Sequence, residues 1–143
     1  MVKKRFAYFL AVATLAACNA ASPAPAGWQP VPGEQNAWRH GTGPTLQTYE
    51  YRRTDFSGAL PDLASQVTVD ALIQHPGARL RSSNPLGPCP GAAGLATFSL
   101  SGGRVLQEGF AVHDGQAIRT VYMRPAGQRA DSNVLTAMQN VLC

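Results

Sequence analysis

The stretch from Leu95 to Arg124 restricts the possible folds more than any other part of this chain. Three β-prone runs follow one another there with only short turns between them. Leu95–Leu100 meets Arg104–Val112 across Ser101-Gly102-Gly103. Ala117–Arg124 then follows Asp114-Gly115, a pair favoured by the type I′ turn because both central residues need positive φ. Connections this short return the chain antiparallel to itself, so the three runs form a meander.

Such a sheet needs cover, and two segments read as amphipathic helices. Pro61 stands at a first helical position, Leu63, Val67, Ala71 and Ile73 or Gln74 follow the helical period, and Pro76-Gly77 stops the run. Near the end, Asp131 or Ser132 can cap a helix whose Val134, Leu135, Met138, Val141 and Leu142 form one apolar stripe. Upstream, Trp38–His40 reads as a short strand before the turn-rich Gly41-Thr42-Gly43-Pro44. Leu46–Arg53 alternates as a half-buried strand, with Tyr49 and Tyr51 on one face and Leu46, Thr48 and Glu50 on the other. Ala78–Ser82 reads as a short strand leading into a Pro/Gly-rich loop, Asn84–Gly94. The fold class expected is α+β: an antiparallel sheet with a C-terminal three-strand meander and two amphipathic helices packed on it. Residues 28–143 are read as one globular domain.

Residues 1–17 do not belong to that domain. Lys3, Lys4 and Arg5 precede an apolar run, Phe6–Ala17, that is shorter than the roughly 20 residues needed to span a bilayer, as in a signal peptide. It ends in Leu15-Ala16-Ala17-Cys18, which resembles the lipobox of bacterial lipoprotein precursors. The resemblance implies that Cys18 receives a diacylglycerol, becomes the mature N-terminus and is further acylated. Several acyl chains on one residue make a lasting anchor, since each buried methylene contributes roughly 0.8 kcal/mol. Residues 19–27 are small and proline-bearing, a tether reaching about 25 to 30 Å if extended. Asn19, where Asp would signal inner-membrane retention, points to the outer membrane, facing the periplasm.

Assigning Cys18 to lipid leaves Cys89 and Cys143, in a compartment where disulfides persist, and they are expected to pair. Removing the signal also removes three of the 12 bases, leaving nine arginines against eight acids. The basic character of the precursor thus belongs largely to export and gives no support for nucleic-acid binding.

Catalytic chemistry is not legible. His40, His75 and His113 lack metal-ligand spacing, and no metal or cofactor is expected. There is no nucleophile elbow around Ser99 or Ser101, and Gly102-Gly103 lacks the lysine of a phosphate loop. His75 stands where a basic residue can cap a helix end, and His113 flanks a hairpin tip. Asp62 lies in a first helical turn, and Asp70 is read as solvated. Glu108 shares parity with Leu106 and Phe110, so it faces inward, with Arg119 on the next strand as an ion-pair partner. No catalytic residue is named. The aromatic residues supply the one candidate binding surface, an exposed Trp28 and Trp38 pair at one edge.

The domain resembles the PsbP-like fold group of thylakoid-lumen proteins and small bacterial lipoproteins. The resemblance rests on Gly27-Trp28 near the start, the helix after the first strands, Val112-His113-Asp114-Gly115-Gln116-Ala117 leading to Thr120-Val121-Tyr122, and a closing helix. A cystatin-like or other helix-on-sheet fold gives much the same pattern. The expected function is that of a non-enzymatic lipoprotein, held to the membrane through Cys18, which binds or supports another envelope protein. The alternative is a module that binds a soluble ligand or inhibits an enzyme.

Overall fold

Seven strands form one antiparallel sheet in a computed structural model that describes residues 23–87, 89 and 92–143. The strands are β1 (Gln29–Pro30), β2 (Ala37–His40), β3 (Gln47–Asp55), β4 (Arg79–Pro85), β5 (Ala93–Leu100), β6 (Arg104–His113) and β7 (Gln116–Pro125). Helix α1 spans Leu60–Gln74 and helix α2 spans Ser132–Leu142. The expected signal segment, Cys18 and the expected tether as far as residue 22 lie outside the described residues. Across the sheet the order is β1-β2-β3-β7-β6-β5-β4. The meander β5-β6-β7 is its centre, and β1 to β3 are added along the free edge of β7.

Each junction has a local cause. Asp114 and Gly115 both take positive φ, 49° and 74°, which closes the β6–β7 hairpin with His113 opposite Gln116. The Asp62 carboxylate accepts the Ala59 N–H at 2.9 Å and opens α1, and the Asp131 carboxylate accepts the Asn133 N–H at 2.8 Å and opens α2. His75 is the C-cap of α1, its N–H donated to the Ala71 carbonyl.

The two helices lie on opposite faces of the sheet, so the domain has three layers. Leu63, Val67 and Ala71 of α1 pack on Ala96, Phe98, Leu106 and Phe110. Val134, Ala137, Met138 and Leu142 of α2 pack on Ala111, Ile118, Tyr122 and Tyr49. Strand alternation puts neighbouring residues of β6 into different cores, Phe110 beneath α1 and Ala111 beneath α2. Burying side chains on both faces supplies most of the stabilisation, at roughly 25 cal/mol per Å² of apolar surface. Gly109 is where α2 comes closest: a Cβ there would stand 2.5 Å from Leu142 Cδ1 and 2.6 Å from Thr120 Oγ1.

Several boundaries differ from the sequence reading. The β1 strand has two residues, too few for a periodic signal. Strand β4 runs on to Pro85 and β5 begins at Ala93, so the expected loop is shorter at both ends. Ile73 is 71 % exposed, because two residues beyond Ala71 it stands about 200° round α1 from the buried row Leu63, Val67 and Ala71. Among the described residues, no helix is long and apolar enough to cross a membrane.

Candidate functional site: an open trough beside the first helix

Helix α1 covers β5, β6 and the Ala117 end of β7, and leaves β2, β3 and the Val121–Met123 stretch of β7 only partly covered on the same face. Glu50 lies opposite Val121 there and Thr48 opposite Met123, and these four make a floor. Two cavities of about 310 and 300 Å³ share Glu50, Val121 and Met123 and together form a trough. One half is largely apolar, lined by Val31, Ala37 and Leu46, with Glu34 and Arg39 also on its lining. The other half is polar, lying between the strands and the Asp70, Gln74 and His75 side of α1.

Arg119 organises the polar half. Its Nη1 donates to Asp70 Oδ2 at 2.7 Å and its Nη2 to Glu108 Oε2 at 3.1 Å, so one guanidinium ties α1 to the sheet. The Glu108 side chain is 5 % exposed. Its pKa is raised by burial, an effect that Arg119 opposes and does not cancel. For Arg119, desolvation works downward, but the bonds to Asp70 and Glu108 outweigh it and hold the pKa above its ordinary value. On the open side Arg52 pairs with Glu50 at 3.1 Å. Burial moves the Glu108 pKa in the direction a general acid needs, yet a substrate would first have to displace the guanidinium bonded to it. The arrangement is suited to recognition: fixed charges of both signs beside an apolar slot.

The inward Glu108 and its Arg119 partner are found as the sequence indicates. Asp70 is a correction, since it is tied to Arg119 and not simply solvated. The stripe Leu63, Val67, Ala71 carried a usable signal: Asp70 and Gln74 flank it one position away, on the side that meets the sheet. Nothing in the local pattern announced Met123 or the Glu50–Arg52 pair as trough residues.

Trp28 and Trp38 share one sheet face, the α2 face, but they are not an exposed pair. Trp28 is 8 % exposed, stacked on His40 with centroids 5.5 Å apart and edge-on to Tyr122 at 6.1 Å. Its Nε1–H donates to Asp131 Oδ2 at 3.1 Å, so it plugs the start of α2 and offers no binding surface. Trp38 is half-buried against Tyr49 and Tyr51, at 5.9 and 6.2 Å. Beneath them Tyr122 donates its hydroxyl to Gln47 Oε1 and accepts the Asp131 N–H at 3.0 Å. Cys89 and Cys143 are joined, their Cα atoms 5.2 Å apart. His113 is exposed, yet its Nε2 lies 2.7 Å from the Leu142 carbonyl oxygen and donates to the end of α2. His75 lines the polar half of the trough. Among the described residues no group of three or more His, Cys, Asp or Glu is placed to hold a metal ion.

No protein-family model matches the chain, and no curated protein matches it. Among solved structures it is similar to PA94 from Pseudomonas aeruginosa, a protein of unknown function. The match has 18 % identity and a TM-score of 0.52, covering 63 % of this chain and 67 % of that one, a likeness of fold alone.

Proposed function

We propose that this chain is a lipid-anchored protein of the bacterial envelope, held through Cys18 and facing the periplasm, which works by binding another envelope protein without catalysing a reaction. The observation that carries the binding half is the trough: a sheet face left open beside α1, half apolar slot and half fixed ion pairs. That is a surface for a polypeptide segment with alternating chemistry. Leu15-Ala16-Ala17-Cys18 carries the anchor half, and the PsbP-like resemblance belongs to the same reading. A photoreactive residue placed at Thr48 or Thr54 in the trough should give one discrete adduct in cells, and one at Asn140 on the far helix should not. Thr48→Arg should abolish the adduct from Thr54 without lowering the thermal midpoint. Equal labelling from both faces would overturn the trough as the contact surface.

The alternative, a soluble ligand or an inhibitory contact with an enzyme, draws on the same cavities, whose volumes are near the lower end for small-molecule sites. Saturable protection of Val121 and Met123 by a small molecule, with no protein adduct, would favour it.

A further inference from the structure

The charges of the domain are segregated along the strands. At the end of the sheet where β2 and β7 finish and β4 and β6 begin, six of the nine arginines outside the signal segment collect: Arg39, Arg79, Arg81, Arg104, Arg124 and Arg129. Arg81 belongs there because its Nε reaches back to Ser99 Oγ at 2.9 Å, and Arg104 because its Nη2 meets the Leu46 carbonyl at 3.4 Å. Arg39, Arg79, Arg81 and Arg129 are exposed. The one acid at this end is Asp131, already committed to Trp28 and the cap of α2. Glu34, Asp55, Asp62 and Asp114 all lie at the opposite end with a single arginine, Arg53.

The chain enters at the basic end. Pro25 is buried there, its carbonyl accepts the Trp28 N–H at 3.2 Å, and Asn133 holds the Ala26 carbonyl at 3.1 Å. An open depression of about 620 Å³ lies beside Gly27, with Arg39 and His40 on its rim. The seven steps from Cys18 to Pro25 span at most about 25 Å even when fully extended.

We propose that the basic end is a membrane-docking surface, taking the anionic phospholipid headgroups of the leaflet that holds the anchor. The orientation rests on the anchor reading, but the charge segregation does not. Docked this way, the domain presents its acidic end away from the lipid and turns the trough sideways, its Leu46 margin nearest the lipid and its Glu34 margin farthest, so that a protein partner can still reach it. Attraction of this kind is worth about a fivefold change in partitioning per arginine and decays within a Debye length of about 8 Å at physiological salt.

The test starts from mature protein purified from membranes. Its mass shows first, and independently, whether Cys18 carries lipid. Reconstituted on vesicles, it should show amide-exchange protection at 39–46 and 124–131 when phosphatidylglycerol is mixed into phosphatidylcholine, and not on phosphatidylcholine alone. The added protection should vanish at about 1 M salt. Arg39→Ser with Arg129→Ser should weaken docking about 25-fold, and Arg53→Ser should leave it unchanged. Equal protection on neutral and anionic vesicles, or protection at the 113–116 hairpin, would overturn the proposal. Should the mass show no lipid, the anchor reading fails by itself. The exported protein is then sedimented with the same vesicles: salt-sensitive pelleting with anionic lipid alone supports the basic end, and none overturns it.

Discussion

Glu108 holds its proton more tightly in the folded chain than in the unfolded one, because burial raises its pKa and Arg119 only partly opposes that. The stability it contributes is therefore fully present below its ordinary value of 4.5 and is lost as pH rises through the folded value. Ordinary carboxylates pull the other way, so the effect is read as a difference. Urea midpoints at about pH 4 and about pH 7.5 should fall further across that range in the parent than in Glu108→Gln, and identical falls would contradict the assignment. Arg119→Leu strands Glu108 beneath α1 and should cost about 3 kcal/mol at neutral pH. At acid pH it should cost less, because the carboxyl is then neutral. Tyr49 differs in kind: its hydroxyl is buried with no hydrogen-bond partner among the described residues, and burial, aided by Tyr51, holds its pKa well above the ordinary value. Tyr49→Phe removes an unsatisfied polar atom and keeps the ring, so the thermal midpoint should stay level or rise, by up to about 1 kcal/mol of stability.

Helix α2 is held at both ends by contacts remote in sequence. Asp131 and Trp28 fix its start, and the Cys89–Cys143 bond with the His113 contact fixes its finish. The chain-entropy model gives about 4 kcal/mol for a closed loop of this length. Replacing both cysteines with Ser should lower stability by up to that amount, and exchange in the last turn of α2 should become fast. Mass analysis without reductant should find no free thiol at either position; two alkylatable thiols would remove the basis for this account. Gly109→Ala tests the approach of α2 to the sheet from below. Thr120 Oγ1 is hydrogen-bonded to Gly109, and Leu142 is pinned beside His113 and Cys143, so neither can easily yield to a Cβ. A loss of about 1–3 kcal/mol is expected from such overpacking, read from the unfolding midpoint. A neutral result would mean that the last turn moves freely.

At the scale of the whole molecule, the exposed outer strand β4 invites edge pairing with another chain. Arg79, Arg81, Pro85 and the irregular register between Leu80 and Ser82 all work against it. The anchor has its own prediction: Cys18→Ala should move the protein out of the membrane fraction and abolish incorporation of labelled fatty acid. Retention in membranes together with loss of the label would show that something other than lipid holds it there.

Much of this was legible in the sequence, and the reason is local. The β6–β7 turn depends on two adjacent residues, the meander on alternation within single strands, the helix caps on side chains within three positions, and Glu108 with Arg119 on parity alone. The Cys89–Cys143 pair was reached from the cysteine count alone, while the lipobox is a proposal resting on four residues outside the described ones. Tertiary structure decided that β3 pairs with β7, that the helices take opposite faces, that Trp28 is a buried plug, that Asp70 completes the Arg119 cluster, and that the arginines gather at one end. None of these has a local signature. Each follows from which strand edge pairs with which across scores of residues, a choice governed by how both faces of one sheet can be covered at once. The trough is a consequence of that choice, for two helices cannot cover seven strands on both faces.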